Sequence, residues 1–261
     1  MIKPYNYFLS KHLQELLTLI KRAVVILFGT AGIVLPNMTR TKWLSILFSI
    51  ILVYILFQNP SLKFGLIYWA LSMVFHYTVL FGTFVKGGFK ERWLRNSLTK
   101  EEAHGKFETW LSLAFFHNGL SFSYLYFTST NQVDFAFAPS YWILGLGIIL
   151  QLIGFIIKFL AVWQVGLSIY YYKDMFIEEK VIEFEEKGIF KFMSNPLYGW
   201  GQLNGYGAAL YAFSWYGILA ILVNQFCFYL FYYTIEKPFI LRLYFEPIDK
   251  GLEPAKVSVS L

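Results

Sequence analysis

Residues 192–244 read FMSNPLYGWGQLNGYGAALYAFSWYGILAILVNQFCFYLFYYTIEKPFILRLY, and this stretch decides the fold. Asn195-Pro196 is a turn-former at the mouth of an apolar segment, because a residue before proline is pushed out of helical geometry. Tyr198 and Gly199 follow at once, so a polar ring and a bare backbone meet where the chain enters the apolar run. A second run, Trp215 to Tyr233, ends in Thr234-Ile235-Glu236-Lys237-Pro238, which sets one carboxylate just beyond the hydrocarbon. The two segments are joined only by Phe213-Ser214-Trp215. They are expected to form a helical hairpin that returns Asn195 and Glu236 to the same side.

Composition agrees with a membrane chain. Of 261 residues, 57% are hydrophobic, 21% aromatic and only 15% charged, against about 25% charged in a soluble domain. The net charge of +6 is spread over several short loops. That pattern fits topology and contact with anionic lipid, not a nucleic-acid surface. Cys227 is the only cysteine and lies inside an apolar run, which excludes a disulfide or a cysteine-based metal site. Four histidines, at 12, 76, 104 and 117, are too scattered to suggest a zinc cluster.

Residues 1–21 set Leu13, Leu16, Leu17 and Ile20 among Lys3, Lys11, His12, Glu15 and Lys21, the spacing of a helix with one apolar stripe. Ala23 to Leu35 is apolar but short of the roughly 20 residues of a spanning helix. The whole region is expected to lie in the interface. Spans follow at Trp43 to Phe57, Leu66 to Val85, Trp110 to Phe127 and Tyr141 to Val165, and the hairpin supplies a fifth and a sixth. The fold expected is therefore all-α, an integral membrane bundle of about six transmembrane helices with an N-terminal interfacial helix and a C-terminal hairpin. Basic residues are rich before Trp43, at 86–106 and at 173–191, poor at 58–65, and absent at 128–140. By the positive-inside rule, both termini, the 86–106 loop, Asn195 and Glu236 share one face, cytosolic or, in a mitochondrion, facing the matrix. Within the spans, His76, His117 and Asn118 are read as making buried hydrogen bonds. Glu178, Glu179, Glu183, Glu185 and Glu186 read as a solvated amphipathic helix.

An Asn-Pro-x-Tyr-x turn closed by Gly199, a hairpin, and a Glu beside Pro238-Phe239 with Tyr244 six residues past that proline resemble the membrane phosphatidylethanolamine N-methyltransferases. That family belongs to a wider group with the isoprenylcysteine carboxyl methyltransferases. The likeness extends over roughly Gly147 to Tyr244, so the chain divides into residues 1–140 without a family match, a methyltransferase-like core at 141–251 and a tail at 252–261.

The resemblance implies a pocket for S-adenosyl-L-methionine. Asn195, Pro196, Tyr198 and Gly199 would hold its headgroup, and a tyrosine face attracts a sulfonium as it does a quaternary ammonium. Glu236 would accept from the ribose diol or the methionine ammonium; the small family members have two glutamates there, and this chain has Glu236-Lys237. Asn195, Tyr198 and Glu236 are the residues nearest the chemistry. Gly154 stands at the second glycine of the family's Gly-x-Gly, with Leu152 at the first, and Gly145-Leu146-Gly147 lies one turn or two earlier. Gly147 and Gly154 would let a nucleotide approach the helix, or else they are packing glycines of a membrane helix. Arg242 and Tyr244 would meet the lipid substrate, Arg242 through its phosphate.

The reaction so implied is methylation of the amine of phosphatidylethanolamine, or its methylated forms, in phosphatidylcholine synthesis. Partners would be the phospholipid and the bilayer, with homo-oligomers or a larger membrane complex left open and no nucleic acid. The endoplasmic reticulum membrane is the expected location, the mitochondrial inner membrane the alternative. Three rivals remain: the same fold acting on a prenylated cysteine carboxylate, a steroid-reductase-like enzyme, and an inactive structural subunit of a membrane complex.

Overall fold

The computed structural model describes residues 3–35, 38–96, 98–131, 140–180, 188–193 and 195–245. Most of the 128–140 linker, Glu183, Glu185, Glu186 and the 252–261 tail lie outside the described residues. Helices α1 (Lys3–Thr30), α2 (Arg40–Gln58), α3 (Leu62–Phe84), the short α4 (Phe89–Arg95) and α5 (Lys100–Thr128) precede α6 (Ser140–Tyr170) and α7 (Lys173–Ile177). The hairpin follows as α8 (Leu203–Tyr211) and α9 (Trp215–Phe231). The protein is an all-helical membrane bundle, with no strand among the described residues.

Among the described residues, three stretches are long and apolar enough to cross a membrane: Leu62–Phe84, Ser140–Ile177 and Trp215–Phe245; Lys42–Gln58 is apolar but shorter. α5 has the length, at 29 residues, but carries five charged residues in its first three turns. The expected fifth span is shortened. Pro196, Gly199 and Gly201 keep residues 195–202 in turns and one 3-10 turn, leaving nine residues for α8. At 1.5 Å per residue, α8 reaches only about 14 Å and passes through part of a bilayer core of about 30 Å.

α1 is one continuous helix of 28 residues, not a helix followed by a separate apolar run. Its second half docks on α6 and the turn after it: the Arg22 guanidinium lies 4.4 Å from the Trp163 ring centre, and Tyr171, just past α6, donates to the Gly29 carbonyl at 2.8 Å. Leu13, Leu16, Leu17 and Ile20 stay half-exposed. α2 is pinned to α5 by the buried Lys42–Glu108 ion pair at 3.3 Å. His117 joins α2, α3 and α5 through Ser49 and Tyr68, each at 3.0 Å, which is the buried hydrogen bonding expected. His76 departs from that expectation. Neither ring nitrogen has a partner, and the ring stacks on Tyr77 instead.

α6 and α8 cross with their backbones in contact. A Cβ on Gly154 would lie 2.1 Å from the Asn204 nitrogen, one on Gly147 2.8 Å from the Tyr211 nitrogen, and one on Gly207 2.3 Å from the Gln151 nitrogen. Small residues that let backbones touch are the usual adhesive of membrane helices. At its lower end α6 breaks at Gly166 (φ 83°, ψ 162°), a conformation essentially reserved for glycine. The break redirects the chain into Tyr170–Tyr172 and α7. At the other end of the hairpin, Ser214 caps α9 by accepting from the Gly217 N–H and also bonds the Ser129 hydroxyl at the end of α5.

Pro238 does not end the last helix. Beyond Phe231 the chain widens into a π turn at Tyr232–Glu236, continues through Lys237–Ile240, and widens again at Leu241–Phe245. A proline cannot donate to the carbonyl four residues back, and a locally widened helix is one way to absorb that loss. Glu236 is therefore carried on an unbroken helix and not released into a loop.

Candidate active site

The turn at Asn195 is closed by three hydrogen bonds. The Asn195 side-chain carbonyl accepts from the Tyr198 N–H at 3.1 Å, its backbone carbonyl from the Gly199 N–H at 3.1 Å, and the Pro196 carbonyl from the Gly201 N–H at 2.7 Å. With Pro196 fully buried, the turn fixes the Tyr198 ring inward, 6% exposed and stacked on Phe228 at 5.1 Å between centroids. Gln225 of α9 donates to the Tyr198 carbonyl at 3.0 Å, which ties the turn to the partner helix of the hairpin.

The Tyr198 hydroxyl is the hub. It donates to Glu236 Oε2 at 2.7 Å and lies 2.6 Å from the Tyr172 hydroxyl. A phenol has one hydrogen to give. Because Tyr198 gives its hydrogen to Glu236, Tyr172 must donate to Tyr198, and the three groups form a directed chain, Tyr172 to Tyr198 to Glu236. Burial, the nearby Glu236 carboxylate and Tyr172 hold the Tyr198 phenol well above its usual pKa. It is a donor and not a phenolate at any physiological pH.

A second carboxylate completes the arrangement. Asp174, at 5% exposure in α7, accepts from the Met175 N–H at 2.8 Å and from the Tyr244 hydroxyl at 3.2 Å. Asp174 is near enough to Glu236 to act on it electrostatically. Segments far apart in sequence thus converge: α7, the 195–199 turn, and the helix that runs to Phe245.

The expected site residues sort clearly. Asn195, Pro196, Tyr198, Gly199 and Glu236 come together, and Tyr244 joins them through Asp174. Asn195 spends its side-chain carbonyl inside the turn, so only its Nδ2 hydrogens remain to offer a ligand. Gly199 leaves just enough room for the Tyr229 hydroxyl, 3.2 Å from where a Cβ would stand. Gly147 and Gly154 lie elsewhere, with the space they leave filled by the backbone of α8. Arg242 is exposed, its guanidinium 5.5 Å from the Phe239 ring centre. Lys237 turns to the Tyr233 ring at 5.5 Å.

Asp174 and Tyr172 are the residues that sequence reasoning missed. The signal was present: Asp174 is an acid just past the end of an apolar span, as Glu236 is past its own. It was obscured by the charged stretch that follows.

Residues 142–246 match a family model described as phospholipid methyltransferase. No curated protein and no solved structure matches the chain significantly. The matched segment opens in α6 and takes in Tyr172, Asp174, Asn195, Tyr198, Glu236 and Tyr244, so the whole convergent cluster lies within it. Over residues 142–246 the chain is therefore similar to the phospholipid methyltransferase family.

Proposed function

We propose that the protein transfers a methyl group from S-adenosyl-L-methionine to the amine of phosphatidylethanolamine or its methylated forms. The observation that carries this reading is the buried hub at Tyr198, which fixes Glu236 beside the Asn195 turn inside the family-matched segment. The donor set suits the cofactor. Glu236 and Asp174 offer carboxylate oxygens to an ammonium and a ribose diol, and the Tyr232 ring, packed against Tyr198, offers negative π density to a sulfonium. When bound, S-adenosylmethionine supplies a methyl group on a positively charged sulfur.

The chain's own residues have three tasks. Asn195, with its turn locked from Pro196 to Gly201, positions whatever binds against it. Glu236, oriented by Tyr198, and Asp174, oriented by Tyr244, set two carboxyl groups at one end of the bundle. A lipid ammonium must lose a proton before its nitrogen can attack, and a carboxylate of this pair is the available acceptor. Holding the reacting groups in line can lower the barrier by up to about 7–11 kcal/mol in ideal cases.

One observation favours a second reading, that of a catalytically inactive structural subunit: Gly147 and Gly154 are closed off by α8. The deciding experiment is equilibrium binding of S-adenosylmethionine to the protein in lipid nanodiscs, followed by transfer of labelled methyl to phosphatidylethanolamine. Saturable binding, weakened about tenfold or more by Glu236→Ala and reduced by Asn195→Ala, supports the enzyme. A folded protein that binds no cofactor at millimolar concentration would leave the structural subunit.

A further inference from the structure

Lys158 is the only charged residue between Ser140 and Tyr172, and no described residue pairs with it. An ionisable side chain within a membrane helix is costly and marks a functional position by default. Lys158 borders a partly open cavity of about 780 Å³ lined by residues of α5, α6, α8 and α9. Its wall is unusually rich in amides for that depth: Asn118, Gln151, Gln202, Asn204 and Asn224. Membrane packing alone gives no reason to gather these amides and one lysine around an open volume.

The floor of the cavity is fixed. Asn224 Nδ2 faces Gln202 Oε1 at 3.5 Å, and Tyr77 donates to Asn224 Oδ1 at 3.0 Å. Gln202 Nε2 in turn donates to the Leu197 carbonyl at 3.2 Å, which separates this cavity from the Tyr198 hub by one hydrogen-bonded layer. The opposite end reaches Asn131 and Phe213, beside the α8–α9 turn. Leu144 and Leu152 are exposed on the α6 surface alongside.

We propose that this cavity is a phospholipid headgroup site, with Lys158 taking the phosphate and the amides taking its remaining oxygens and esters. A cation with free donors, ringed by neutral amides, fits an anion that also carries polar substituents. The flanking apolar surface favours a lipid over free phosphate, because acyl chains can stay in the bilayer while the headgroup sits inside. The site is distinct from the Asp174–Glu236 end of the bundle, and the inference does not depend on methyl transfer.

The test is the count of lipids retained after purification, read by native mass spectrometry. Wild type would be compared with Lys158→Met, which keeps the chain length and removes the charge, and Ala208→Phe, which fills the cavity without touching the lysine. Each protein would be offered phosphatidylethanolamine, phosphatidylglycerol or diacylglycerol, with and without millimolar inorganic phosphate. Retention of both phospholipids by wild type, falling about tenfold in each variant, with diacylglycerol not retained, supports the site. Equal retention in folded Lys158→Met overturns it. Loss of bound lipid to inorganic phosphate would assign the same chemistry to the free anion and overturn the lipid source. Should wild type bind no S-adenosylmethionine yet lose phospholipid with Lys158→Met, the proposed activity fails and this site stands.

Discussion

Replacing Gly154 by alanine separates two roles that the sequence left open. An added Cβ would stand 2.1 Å from the Asn204 nitrogen, 2.8 Å from the Leu203 carbonyl carbon and 2.9 Å from the Asn204 Cα. All three are backbone atoms, so no side-chain rotation relieves the clash. Reaching ordinary contact at 3.4 Å requires α6 and α8 to part by about 1.3 Å at that point, and overpacking of this kind costs about 1–3 kcal/mol. Gly207→Ala, whose Cβ would meet the Gln151 nitrogen at 2.3 Å, should cost nearly as much, and Gly147→Ala, at 2.8 Å, less. Gly145→Ala meets nothing within 4 Å and should be neutral or gain up to about 1 kcal/mol from helix propensity. Thermal unfolding in one detergent would rank the four, with S-adenosylmethionine binding measured on each folded protein. The packing argument requires the order of stability to follow the order of distances. Gly154→Ala unfolding like wild type while losing cofactor would refute it.

Three further outcomes follow from the geometry. Tyr198→Phe removes the hydrogen bond to Glu236 and orphans the Tyr172 hydroxyl, whereas Tyr172→Phe removes one bond only. Since a hydrogen bond to a charged group is worth about 1.5–3 kcal/mol, Tyr198→Phe should be the more destabilising in thermal unfolding, and the reverse order would contradict the direction of the chain. Gly166→Ala forces a side chain into φ 83°, ψ 162° and should cost about 1–3 kcal/mol, although open space surrounds the position. Glu178, bonded to Lys90 at 2.6 Å, has its pKa lowered from 4.5 chiefly by that bond. A depressed carboxylate stabilises the fold above its ordinary value, and the contribution is lost as pH falls through the folded value. Lys90→Met should therefore differ from wild type in stability at neutral pH, with the gap closing in an acid titration below 4.5.

The hairpin and the meeting of Asn195 with Glu236 were legible because each end carries its own punctuation. Asn-Pro opens one segment, Glu-Lys-Pro closes the other, and three residues between them leave no other way to fold. What Pro238 would do was not legible. Its sequence context reads as a helix stop, but a widened helix absorbs the missing N–H and carries Glu236 and Tyr244 onward together. The glycines of α6 were ambiguous for a different reason. A missing side chain announces a close approach without naming what approaches, and only the position of α8 identifies it. Asp174 escaped because a lone acid in a stretch with Lys173, Glu178 and Glu179 looks solvated until Gly166 turns it inward. The short α8 was foreshadowed by Pro196, Gly199 and Gly201, whose combined effect on helix length only three-dimensional packing reveals.

The helix from Trp215 to Phe245 has 31 residues, about 46 Å of rod at 1.5 Å per residue, in a bilayer whose hydrocarbon is about 30 Å thick. Such a rod meets a thinner or thicker bilayer by changing its tilt. One end is tied to α5 through Ser214 and Ser129, while Glu236 and Tyr244 ride near the other. Their partners, Tyr198 and Asp174, sit on separate elements. A change of tilt would move Glu236 and Tyr244 together relative to Tyr198 and Asp174, so the two hydrogen bonds at that end are expected to respond to bilayer thickness.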